Sequence, residues 1–180
     1  MIRRLSVTLA ALTLAATLTS GCNTFSSNSN AAVVNGYALP VKQYEAILAG
    51  VAQTPETFQI PAVDATGMPG TTARSILGQW VSNAVMTSAL ASKGVTVSAA
   101  DRKVAEDAIL AGKAAAVWAT LSPGLKSFVL DSQTLQPAFT KAFGTDAQAA
   151  LEKAARASKI TIDSRYGMWD AVTGQVAATR

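Results

Sequence analysis

The hydrophobic positions fall into two patterns. Short β-branched runs stand near Val33 and near Ile160. Between them apolar residues recur at three- and four-residue spacing, the period of a helix with one buried face. Val33-Val34 is followed by Asn35-Gly36 and then by Tyr37-Ala38-Leu39. Asn-Gly between apolar runs predicts a hairpin, because a type I′ turn needs two residues at positive φ. Pro40 suits the first turn of a helix, where its missing N–H costs nothing. Val41, Tyr44, Ile47, Leu48 and Val51 continue at helical spacing, and Gly50 is expected to end the run.

Residues 54–72 interrupt the pattern with Pro55, Pro61, Gly67, Pro69 and Gly70 and predict a long loop. Thr71 or Thr72 is the expected cap of a helix carrying Ile76, Leu77, Trp80, Val81, Ala84, Val85 and Leu90. Lys93-Gly94 is a stop signal, with a cation and a left-handed residue at the helix end. Val95-Thr96-Val97 reads as an extended link, and Ser98 with Asp101 as the capped start of the next helix. Val104, Ala108, Ile109, Ala115, Trp118 and Leu121 carry on the apolar face, with a bend at Gly112. Ser122-Pro123 opens another helix through Leu125, Phe128, Val129, Leu135, Phe139 and Phe143, with a break or kink near Gln136 ahead of Pro137. Gly144 ends it, and Thr145 or Asp146 caps a last helix to about Ala157.

Ile160-Thr161-Ile162 alternates as a strand. A lone two-stranded hairpin is marginal in water. Ile160–Ile162 is therefore expected to pair with Val33–Val34, bringing the two ends of the folded region together.

Composition changes the picture mainly at the N-terminus. Arg3-Arg4 precedes an uncharged apolar stretch, Leu5 to Leu18, which is short for a bilayer span. Residues 1–21 read as a signal peptide. Leu18-Thr19-Ser20-Gly21-Cys22 resembles a bacterial lipobox, with Thr19 where leucine is usual. That resemblance implies lipid attachment at Cys22, the single cysteine of the chain. Residues 22–30 read as a flexible Ser/Asn-rich tether and residues 31–180 as one domain. Apolar residues make up 49% of the chain and charged residues 14%, enough to form a core. Abundant alanine favours helix. The net charge of +4 includes Arg3 and Arg4, and the remaining basic residues are scattered, which argues against nucleic acid.

Ala31 to Leu48, with its Val-rich strand, Asn-Gly turn and helix, resembles the start of the chaperone domain of SurA-like and PrsA-like extracytoplasmic foldases. Leu90 to Ile109 is similar to the helix, Lys-Gly, Val/Thr link and Ser-capped acidic helix of that family. Arg165-Tyr166-Gly167 and Trp169-Asp170 resemble its closing segment. The resemblance implies a mainly helical fold with a small β element, of the SurA N-terminal and trigger-factor-C-like peptide-binding type. It implies an anchored protein at the outer face of the cell membrane, or a secreted or periplasmic one, that binds unfolded or newly exported polypeptides. No length remains for the family's parvulin isomerase domain, and the chain has no histidine.

The lack of histidine removes Ser/His/Asp and Cys/His catalysis. No phosphate-binding glycine motif is present, and zinc-type ligands are missing in number. Glu106-Asp107 is the nearest acidic cluster and reads as a solvated face; Asp163 and Asp170 fit no EF-hand spacing. The expectation is a binding protein without cofactor or metal, and not an enzyme. Tyr44, Phe58, Trp118 and Phe128 are the candidate peptide-binding residues, since aromatic side chains adapt to varied partners. Trp80 and Met86 belong to the same apolar inventory, and core packing is the competing reading for all of them. The alternative function is a structural or adaptor lipoprotein of the envelope that docks one dedicated protein partner.

Overall fold

The computed structural model describes residues 29–54, 68–112 and 115–179. The signal peptide, Cys22 and Phe58 lie outside the described residues. Five strands and six helices follow in the order β1 (Asn30–Val34), β2 (Tyr37–Pro40), α1 (Val41–Gln53), α2 (Gly70–Ser92), α3 (Ala99–Ala111), α4 (Ala115–Thr120), α5 (Pro123–Phe143), α6 (Ala147–Ala157), β3 (Ile160–Ile162), β4 (Met168–Asp170) and β5 (Gln175–Ala177) among those residues. The fold is mainly helical with small antiparallel sheets.

The expected closure of the two ends is present. β1 is the middle strand of the order β2-β1-β3. It pairs antiparallel with β3, Ala32 opposite Ile162, Val33 opposite Thr161 and Val34 opposite Ile160. Asn35 and Gly36 both adopt positive φ, at 49° and 92°, as the type I′ turn requires. Asn35 does more than turn the chain. Its amide donates to Ser88 Oγ at 2.9 Å and Ser158 Oγ at 3.0 Å, and its carbonyl oxygen accepts from the Lys159 N–H at 2.9 Å. One side chain thus joins the hairpin to α2 and to the start of β3. β1 begins at Asn30, so the last residue of the expected tether belongs to the sheet. The register slips between Asn30 and Ala32, and Ala31 and Ala32 are both buried.

α2 is the axis of the body. Leu77, Val81, Ala84 and Val85 pack into the main core with Val34, Leu39, Tyr44, Ile47, Val51 and Leu125. Met86 and Leu90, further along, form a second cluster with Leu135 and Phe139 of α5. Between the two clusters lies a polar link: Asn83 accepts from Gln79 at 3.0 Å and donates to Ser132 of α5 at 3.1 Å. Buried polar groups need such partners, and these fix α5 against α2 in one register.

Several boundaries differ from those expected. Gly50 does not stop α1, which runs on to Gln53. A Cβ at Gly50 would lie 2.7 Å from Leu125 Cδ2, so glycine is there to let α5 approach. Pro69, and not a threonine, precedes the first residue of α2. α5 continues through Pro137 without interruption. Gln133 and Pro137 are both exposed there, while Leu135 and Phe139 anchor both flanks in the core. At Gly112, where a bend was expected, α3 ends, and α4 begins at Ala115. The β4–β5 hairpin was not foreseen; it packs on α2 through Val176.

Two substitutions check this packing by urea unfolding. Gly50→Leu should cost about 1–3 kcal/mol by overpacking, and Leu125→Ala in the same chain should recover part of that loss. Asn35→Gly should cost about 1–2 kcal/mol for the lost hydrogen bonds, and Asn35→Ala about 1 kcal/mol more, because alanine is strained at positive φ.

Candidate functional site: the groove between α3 and α5

α3 is held loosely. Ser98 accepts from the Asp101 N–H and the Asp101 carboxylate accepts from the Ser98 N–H, a reciprocal cap that fixes where the helix begins. None of its residues is buried. Arg102 pairs with Asp131 of α5, and Glu106 accepts from the Trp118 indole N–H of α4 at 3.0 Å. These polar ties hold α3 at a distance from α5 without closing the space between them.

The space is an open groove of about 970 Å³. Val95, Ala105, Ala108, Ile109, Pro137, Ala138 and Ala142 give it an apolar lining, and Asp101, Gln133 and Lys141 give it polar edges. Val104 lines it while remaining 68% exposed, and Leu110 further along α3 is 45% exposed. Isolated exposed apolar residues are ordinary, but apolar residues that share an open concave surface mark a binding face.

The charges around the groove are already engaged. Hydrogen bonds from Ser98 hold the Asp101 carboxyl below its ordinary value, with Lys141 adding to the effect. Burial raises the Asp131 carboxyl above its ordinary value, against the opposing pull of Arg102. The groove therefore offers apolar contact with polar and charged edges, Asp101 on the α3 side and Lys141 on the α5 side. Among the described residues no group of three His, Cys, Asp or Glu side chains could hold a metal.

The structure does not gather the expected peptide-binding aromatics into a site. Tyr44 is buried in the main core, donates its hydroxyl to the Ala73 carbonyl at 2.6 Å and meets Tyr166 edge-on at 4.9 Å between ring centroids. Burial pushes its phenol well above the ordinary tyrosine value. Trp118 is buried as well, under α3. Phe128 is half-buried against the main core. Tyr44 and Trp118 thus fill the protein interior, the core-packing reading of the two, and Phe128 keeps a partly open face. Trp80 is half-buried against the main core and Met86 lies in the second one, as core packing requires.

The acidic candidates are accounted for by local contacts. Glu106 serves Trp118, and Asp107 pairs with Lys103 at 2.9 Å. Asp163 pairs with Arg165 at 2.7 Å, and Asp170 accepts from the Val172 N–H at 2.8 Å in the turn between β4 and β5. The groove residues themselves carried one legible signal. Val104 stands among Asp101, Arg102, Lys103, Glu106 and Asp107, an apolar residue on a helix otherwise crowded with charge.

No helix among the described residues is long and apolar enough to cross a membrane. The chain matches no protein-family model, no curated protein and no solved structure.

Proposed function

We propose that this is a chaperone-type protein of the SurA-like and PrsA-like kind, anchored outside the cytoplasm through Cys22, that holds apolar segments of unfolded or newly exported polypeptides. The α3–α5 groove carries this reading. It is open and largely apolar, and the helix on one side of it has no buried residue of its own. An unfolded chain exposes hydrophobic segments that aggregate, and covering them needs apolar contact without chemistry. The order of hairpin, helices and returning strand, and the Ser98–Asp101 cap, support the resemblance on which the family assignment rests. A membrane anchor would raise the local concentration of the groove where exported chains emerge.

Light scattering of an aggregating unfolded client tests the proposal. The wild-type domain should suppress aggregation at several-fold excess. Val104→Glu, at an exposed position, should fold normally and weaken suppression about tenfold, the equivalent of ~1.4 kcal/mol of lost contact. No suppression by the wild-type domain would reject client holding. A pull-down that then returns a single envelope protein would favour the adaptor reading.

A further inference from the structure

A second cleft, of about 550 Å³, lies on another part of the molecule, between α2 and β5. One wall is a stripe along α2 at helical spacing: Thr71, Arg74, Ser75, Gln79 and Ser82. The other wall is continuous backbone, from Gly174 to Ala178. Consecutive residues lining one cleft place a strand edge along it. β5 pairs with β4 alone among the described strands, so none of those strands covers its other edge.

The charge in this cleft is one-sided. Arg74 is its single charged lining residue, and no ion pair or hydrogen bond joins the guanidinium to a described residue. Arg74 is half-buried. Its position along the cleft is read from two neighbouring glycines. A Cβ at Gly167 would lie 3.3 Å from Arg74 Cδ and would also strike the Ala177 carbonyl. A Cβ at Gly70 would lie 3.1 Å from Arg74 Nη1. The guanidinium therefore stands at the Ala177 end of the cleft, beside the first residue of α2. Val176, one residue back, faces Gly78, and Gly174 lies with Ser82 at the far end. β5 runs antiparallel to α2, toward Arg74.

We infer that this cleft binds the extended carboxy-terminal end of a polypeptide. The peptide adds as a strand to the free edge of β5, running parallel to it, and its terminal carboxylate pairs with Arg74. Backbone hydrogen bonds supply affinity that is tolerant of sequence, as in other cases of strand addition. An Arg–carboxylate pair is planar and two-pronged, which fixes the end of the peptide in register. β5 has three residues, so contact is limited to about four residues of the ligand, roughly 13 Å of extended chain. The polar stripe on α2 suits side chains such as threonine at alternate positions. This site is independent of the α3–α5 groove and shares no lining residue with it.

Fluorescence anisotropy with the full chain tests the inference. The probe is an amino-terminally labelled hexapeptide of alternating threonine and valine with a free carboxylate. It should bind, and its carboxy-terminal amide should bind at least fivefold more weakly. N-methylation of alternate backbone amides should abolish binding, because it removes the strand edge of the peptide. Arg74→Gln should reduce the affinity of the free acid to that of the amide, while Val104→Glu should leave it unchanged. Equal affinity for acid and amide would overturn the inference, as would undiminished binding of the N-methylated peptide. Absence of any binding at millimolar peptide would overturn it too. The comparison of acid with amide uses the wild-type protein, so the test stands even where the arginine variant folds poorly.

Discussion

β1 is hydrogen-bonded on both of its edges, to β2 through a tight turn and to β3 across most of the chain. The long-range pairing is the constraint from which the rest follows. The Asn35 N–H donates to the Lys159 carbonyl and the Asp163 N–H to the Ala31 carbonyl, each at 3.0 Å, so bonds run from both ends of the shared ladder. The Asn35 side chain adds the tie to Ser88 near the C-terminal end of α2. Closing so long a loop is costly in entropy, but the cost grows slowly with length. Once it is met, α1 and α2 have a floor of Ala32, Val34 and Leu39 to pack on, and α6 leads directly into the strand that completes that floor.

Above this floor the packing is uneven, and the unevenness is what gives the molecule surfaces to use. α2 and α5 are bound by apolar clusters at two levels and by the Asn83–Ser132 link between them. Lys93 reinforces the far end, donating to the Ala142 carbonyl at 3.1 Å with its ammonium 4.1 Å from the centre of the Phe143 ring. α3 has one apolar anchor, Ile109, half-buried against the main core, and otherwise polar ties. Its ties to α4 and α5 are a salt bridge and an indole hydrogen bond, both partly open to water, where such contacts contribute little. α2 and α5 thus form a two-helix frame, and α3 beside it leaves an open groove.

Much of this was legible where a residue has one physical use. Asn35-Gly36 could serve only a turn at positive φ, and Ser98 with Asp101 is a cap by its spacing. Ile160–Ile162 had to find a partner because three residues cannot stand as a strand alone. The failures have an equally definite cause. Gly50 is a stop signal by its own chemistry, and only contact with Leu125, far along the chain, makes it a helix residue. Tyr44 and Trp118 fall on helical stripes, and spacing cannot separate a ring that fills a core from one that lines a groove. The β4–β5 hairpin was hidden because its strands are three residues long with no strong alternation. Its turn did leave a mark, Asp170 and Gly174 four residues apart, joined by the Gly174 N–H and the Asp170 carbonyl at 2.8 Å.

Amide hydrogen exchange at Asn35 and Asp163 measures the closure itself. These two N–H groups bond across the β1–β3 junction and to nothing local. If the junction holds the fold together, both should exchange only through global unfolding, as slowly as the amides of Leu77 and Val81 in the centre of α2. Rapid exchange at Asn35 and Asp163 while α2 stays protected would show the two ends parting without consequence for the body. That result would contradict the account.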